Sequence, residues 1–112
     1  MKFSIIVPVH NEEKFIIKVL KRVNEQKKKF DIEIIVSNDG STDGTNKLLE
    51  ENRSLYDTLV NSEVNLGKGS AIKRGLDKAQ GDFTLIQDSD LEYNPNDYEN
   101  LFEPAIKCKA DV

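Results

Sequence analysis

Apolar residues fall along this chain in short unbroken runs, separated by longer stretches in which they recur every three or four positions. Phe3 to Val9 is the first such run, and a strand without polar alternation is one covered on both faces, as in a parallel sheet. Pro8 closes it. Asn11 is placed to cap a helix, with Glu12 and Glu13 in its first turn, where carboxylates complement the helix dipole. Ile16, Val19, Leu20 and Val23 then keep the spacing of a helix that buries one face.

The pattern repeats. Ile32 to Val36 is a second β-branched run, followed by the polar stretch Ser37 to Gly44, dense in turn formers. A helix carrying Leu48 and Leu49 is expected to end near Asn52 or Arg53, and Thr58 to Asn61 is a weaker strand. The glycine loop from Asn65 to Gly69 opens a helix with Ile72, Gly75, Leu76 and Ala79 on one face. Gly81-Asp82 turns the chain into a fourth strand, Phe83 to Gln87. From Asn96 onward Tyr98, Leu101, Phe102 and Ile106 recur at helical spacing, with Pro104 expected to kink or split that helix. Residues 110–112 look like the approach to a further, cut-off strand. Strand and helix alternate throughout, which predicts an α/β fold: a mostly parallel sheet, helices on both faces, right-handed crossovers.

Composition narrows the picture. The 112 residues make one domain, and 38% apolar content fills one core. Net charge is −4, and the basic residues are scattered apart from Lys27-Lys28-Lys29 at a helix end. No footprint for nucleic acid is present. The single Cys108 reads as a bystander thiol in a reducing compartment. With no leader and no run of about 18 apolar residues, the chain as given is expected to be neither exported nor membrane-spanning.

The chemistry sits where strands end. The fourth strand runs into Asp88, Asp90 and Glu92 at alternate positions, a cluster whose mutual repulsion a hard cation such as Mg²⁺, Mn²⁺ or Ca²⁺ would relieve. In an open α/β sheet the strand-to-helix loops share one edge, so Pro8 to Glu12, Asn38 to Asp43, Asn65 to Gly69 and Asp88 to Glu92 are expected to converge. Two other readings fail on context. Asp39, Ser41, Asp43, Gly44 and Glu50 fit an EF-hand loop except at Ser41, but they follow a strand, not a helix. Gly67-Lys68-Gly69-Ser70 resembles a phosphate loop, but Ser62 stands where that motif needs its first glycine. Asp43 is expected to cap the helix after it, and His10 to face the site without a catalytic task.

Pro8-Val9-His10-Asn11-Glu12, Asn38-Asp39-Gly40-Ser41-Thr42-Asp43, Asn65-Leu66-Gly67-Lys68-Gly69 and Gln87 to Tyr93 stand in the order and spacing of four motifs. Together they make the chain resemble the nucleotide-sugar-binding half of the family-two glycosyltransferases, and most of all the branch that makes dolichyl or polyprenyl phosphate sugars. The resemblance implies a Rossmann-like GT-A fold, truncated at the C-terminus. It implies that Pro8, Val9 and Glu12 line a nucleoside pocket and that Asp39 contacts the base. Asn38 stands where the family usually has aspartate and is carried into the same binding set. Asp88, Ser89 and Asp90 match the family's Asp-x-Asp motif, with Glu92 a further metal ligand, and Mg²⁺ or Mn²⁺ as cofactor. Lys68 is placed to approach the diphosphate.

The implied reaction is inverting transfer of a sugar from a UDP- or GDP-linked donor to a polyprenyl phosphate or a glycan, in cell-envelope glycan biosynthesis. By the same resemblance the general base lies beyond Val112, and the full-length form works in the cytoplasm or at the inner face of the membrane. A non-catalytic nucleotide-binding or assembly module is the other reading, because an exposed sheet edge can pair with another copy.

Overall fold

The computed structural model describes residues 1–89. Asp90, Glu92, Cys108, the helix expected from Asn96 with its Pro104, and the strand approach at 110–112 lie outside the described residues. Within them the chain runs β1 (Lys2–Val9), α1 (Ile16–Glu25), β2 (Asp31–Asp39), α2 (Thr45–Glu51), β3 (Thr58–Ser62), α3 (Lys68–Leu76) and β4 (Phe83–Ile86). Short 3₁₀ turns follow α1 and α2. The four described strands form one sheet in the order β3-β2-β1-β4. Every described pairing is parallel.

Alternate residues of the two central strands serve two layers. Phe3, Ile5, Val7 and Val9 of β1 and Ile32, Ile34 and Val36 of β2 turn to one face. There they meet Ile16, Val19, Leu20 and Val23 of α1 and Leu49 of α2. The opposite face carries Ile6, and α3 lies on it so closely that a Cβ at Gly75 would stand 2.6 Å from Ile6 Cγ2. Only glycine permits that approach. Helices therefore cover both faces, which is why β1 and β2 read as unbroken apolar runs.

Two boundaries and the buried face of one helix differ from expectation. The first helix begins at Ile16, without an acidic residue in its first turn, and Asn11 is no cap. Asn11 has φ 51°, and its side-chain Oδ1 accepts from Thr42 N–H at 2.7 Å and Asp43 N–H at 3.3 Å. Its side chain is spent on the next loop, so the turn from Glu12 to Phe15 leads into the helix instead. Strand β2 extends to Asp39, carrying Asn38 and Asp39 inside it. On α3 the buried positions are Ala71 and Gly75, while Leu76 is 46% exposed. Contact with Ile6 and the reach of Arg74 to Asp39 turn the stripe Ala71, Arg74, Gly75 to the sheet, leaving Leu76 outside.

Pro8 sits within β1, not after it. Ile6 C=O accepts from Gln87 N–H at 2.8 Å, so positions 4, 6 and 8 of β1 turn toward β4. The ladder with β4 ends at Ile6, so the N–H that Pro8 lacks is missing where no partner strand remains. Beyond that point β1 and β4 part.

Candidate functional site

Strand order reverses at β1, with β2 and β3 on one side of it and β4 on the other. Open α/β sheets bind ligands in the crevice outside the carboxyl ends of the strands at such a switch point. A pocket of about 400 Å³ lies there, lined by residues that follow β1 (Pro8 to His10 and Glu12), by Asp39 of β2, by Asn65, Gly67, Lys68 and Ala71, and by Asp88 and Ser89 after β4. The described parts of the four expected loops meet there, the fourth through Asp88 and Ser89.

Asp39 is the most constrained group in this wall. Its side chain is 3% exposed. Oδ1 accepts from Leu66 N–H at 2.9 Å and Arg74 Nη2 at 2.7 Å, and Oδ2 from Gly67 N–H at 2.8 Å. Burial pushes this carboxyl up, but the hydrogen bond from Leu66, those from Arg74 and Gly67, and the guanidinium charge together hold it below the usual carboxylate range. Gly40, with φ 64°, lets the β3–α3 loop close on it: a Cβ there would lie 2.4 Å from Val64 C and 2.5 Å from Asn65 N. No side chain fits at that place, and an L residue resists that φ in any case.

The loops brace one another. Ser41 Oγ accepts from Asn11 N–H at 3.0 Å, Thr45 Oγ1 from Glu12 N–H at 3.1 Å, and Glu13 Oε2 from Gly44 N–H at 3.0 Å. Asp43 Oδ1 accepts from Thr45 N–H at 2.9 Å and from the Thr45 hydroxyl. Asp43 was expected to be the cap; the N-cap is Gly44, and Asp43 secures the start of α2 from the residue before it. Burial raises its carboxyl, and the Thr45 and Glu13 hydrogen bonds more than reverse this, so it too is lowered. Asp43 and Glu13 thus tie α2 to the loop after β1.

Asn38 is the exception among the expected binding residues. It is not among the residues that line the pocket. Its amide nitrogen donates to Asn46 Oδ1 and, at 3.1 Å, to Asn61 Oδ1, while its oxygen accepts from Ser41 Oγ at 2.6 Å. Alternation along β2 sends Asn38 to the α2 side when Asp39 faces α3. Asn38 joins β2 to β3 and α2.

Lys68 Nζ is paired with Asp88 Oδ1 across the pocket mouth, both partly exposed. The described residues hold no group of three metal-ligating side chains, and Asp88 is the described member of the acidic trio. Its carboxylate opens onto the pocket and is already balanced by a cation, the Lys68 ammonium. Asp88 offers a carboxylate oxygen, the type of donor a hard metal ion takes, and to that extent the described lining fits one.

Arg74, His10 and Asn65 were not among the binding residues expected from sequence. Arg74 gave no signal, because the stripe expected on α3 ran through Ile72, Gly75, Leu76 and Ala79, whereas the helix buries Ala71 and Gly75 and so turns Arg74 to the sheet.

A parallel α/β domain with a polar pocket at its switch point is Rossmann-like in architecture, and comparison with known proteins narrows the class. The model of Glycosyl transferase family 2 matches residues 4–112, and the chain belongs to that family. An undecaprenyl-phosphate 4-deoxy-4-formamido-L-arabinose transferase of Proteus mirabilis is 34% identical over 109 residues, covering 93% of this chain and 33% of the relative. The chain thus spans about a third of the length of the curated relatives it matches. Among solved structures, S. aureus TarS 1-349 in complex with UDP has a TM-score of 0.79 at 34% identity, covering 98% of this chain and 32% of that one. The mannosyltransferase PcManGT of Pyrobaculum calidifontis, in complex with GDP-Man and Mn2+, has a TM-score of 0.67 at 32% identity, covering 79% of this chain and 27% of that one.

Proposed function

We propose that this chain is the donor-binding part of an inverting, metal-dependent glycosyltransferase that takes a UDP- or GDP-linked sugar. The observation that carries the reading is the pocket at the β1–β4 switch point, with a fixed carboxylate at its back and a lysine at its mouth. Asp39, held ionised, presents acceptor oxygens to the N–H edge of a base, with Pro8, Val9 and Glu12 beside the nucleoside. Lys68 leaves Asp88 to meet the diphosphate, and Ser89 lies next to it. Asp88, with Asp90 and Glu92 from the same stretch, would hold Mg²⁺ or Mn²⁺. When bound, that ion supplies positive charge to the departing diphosphate. Asn38 acts behind the pocket by holding β2, β3 and α2 together.

In the reaction an acceptor oxygen attacks the anomeric carbon from the face opposite the nucleotide. The bond to the β-phosphate oxygen breaks with its electron pair, and a base takes the acceptor's proton. We assign that base to no described residue. The relatives' names support a polyprenyl phosphate as acceptor, and we place the pocket at the cytoplasmic side of the membrane that carries it. Among the described residues no helix is long and apolar enough to cross a membrane.

Calorimetric titration with UDP and GDP, with and without Mn²⁺, tests the reading. It predicts metal-dependent binding that Asp90→Ala abolishes. Binding indifferent to the metal would support a nucleotide-binding module without transfer chemistry.

A further inference from the structure

His10 is the chain's one histidine, and its ring contacts settle its tautomer. Nδ1 lies 2.9 Å from the backbone carbonyl oxygen of Asp39. A carbonyl only accepts, so Nδ1 carries a proton and donates it. Nε2 lies 3.2 Å from Asn65 Nδ2 and, more distantly, 3.4 Å from Asn11 Nδ2. Which end of an asparagine amide is nitrogen is ordinarily open to assignment, but backbone donors decide it for both of these residues. Asn65 Oδ1 accepts from Gly67 N–H at 3.0 Å, a donor shared with Asp39 Oδ2 at 2.8 Å. Asn11 Oδ1 accepts from Thr42 N–H at 2.7 Å and Asp43 N–H at 3.3 Å. With their oxygens committed, both amides turn nitrogen toward the imidazole. Nε2 must accept.

We propose that His10 is a positioning residue: as the Nδ1–H tautomer it clamps the ends of β1 and β2 and the β3–α3 loop into one pocket wall, holding Asp39 and Gly67 where nucleotide binding needs them. The inference rests on the donor-pocket reading. It assigns the effect to the edges of the ring, through both nitrogens, and not to its face. The three segments meet at no other single side chain among the hydrogen bonds described, since Asp39 itself ties β2 to the β3–α3 loop and α3 only.

With one imidazole in the chain, a long-range ¹H–¹⁵N correlation spectrum of the uniformly labelled protein at neutral pH reads the tautomer without assignment. The expected result is a protonated Nδ1 and a bare Nε2. An Nε2–H tautomer, or a rapidly exchanging mixture, overturns the clamp. Two variants then separate edge from face. His10→Phe keeps a flat ring but loses both edge bonds, and is expected to bind UDP or GDP about tenfold more weakly. His10→Asn places an amide nitrogen near the position of Nδ1 and is expected to recover part of that loss. Binding by His10→Phe as tight as wild type would show that the face suffices and overturn the proposal. Because His10 is exposed, unchanged circular dichroism and unfolding midpoint should confirm that both variants fold. Failure of the wild-type chain to bind either nucleotide would sink the donor-pocket reading instead, and the spectrum still decides the clamp.

Discussion

Arg74 Nη2 stands 2.7 Å from Asp39 Oδ1, joining the second turn of α3 to the last residue of β2. The carboxylate is almost wholly enclosed and the guanidinium is 22% exposed on its side chain. Removing one member leaves a buried charge without its partner, which costs far more than the pair itself is worth. Arg74→Met is therefore expected to destabilise the fold by about 3 kcal/mol in urea unfolding. Combining it with Asp39→Ala should recover a large part of that loss. Purely additive effects would mean that the two residues do not act as a pair.

Acid sensitivity follows from the two lowered carboxyls. Asp39 and Asp43 both lie below the ordinary value of 3.8 in the folded protein. The unfolded state then binds protons first as pH falls, so their stabilisation is fully present above that value and is lost as pH drops through the lowered folded-state values. Equilibrium unfolding followed from pH 6 downward should show stability declining below about pH 4. Asp39→Asn should decline less steeply over the same window, although it begins less stable.

Gly40 carries the closure of the pocket wall. Gly40→Ala forces a left-handed φ on alanine and drives its Cβ into Val64 and Asn65, so about 2 kcal/mol or more of stability should be lost. Nucleotide affinity should fall with it as residues 64–67 move. Gly69→Ala is the control, because nothing lies within 4 Å of the added carbon; its unfolding midpoint should stay the same or rise.

Lys68 separates phosphate from nucleoside. Its pairing with Asp88 is partly exposed and contributes little to folding, so Lys68→Gln should leave stability nearly unchanged. Affinity for UDP should fall about tenfold, the worth of one charge-assisted contact, while affinity for uridine stays level. An equal loss for both ligands would place Lys68 away from the diphosphate.

Much of this was legible in the sequence, for physical reasons that differ by segment. The runs at β1 and β2 announced a parallel sheet because strands buried on both faces cannot alternate. The convergence of four polar loops then followed from topology alone. What was hidden depended on side chains reaching between segments. Asn11 has the composition of a helix cap, but its amide is drawn to Thr42 and Asp43. Asn38 and Asp39 are neighbours in one polar motif, yet strand alternation puts them on opposite faces. Leu76 looked like core until the Arg74–Asp39 pair and the Gly75–Ile6 approach fixed the roll of α3. The clamp at His10 depends on the fixed orientations of two asparagines far apart in sequence, which no periodicity reveals.

The account stands most directly on where a nucleotide binds. Backbone amide shifts of the ¹⁵N-labelled chain, titrated with UDP or GDP in the presence of Mg²⁺, should change at Val9, His10, Asp39, Gly40, Asn65, Gly67, Lys68 and Asp88 and leave α1 undisturbed. Shifts confined to the α1 face or the outer edge of β3, with those residues silent, would contradict it.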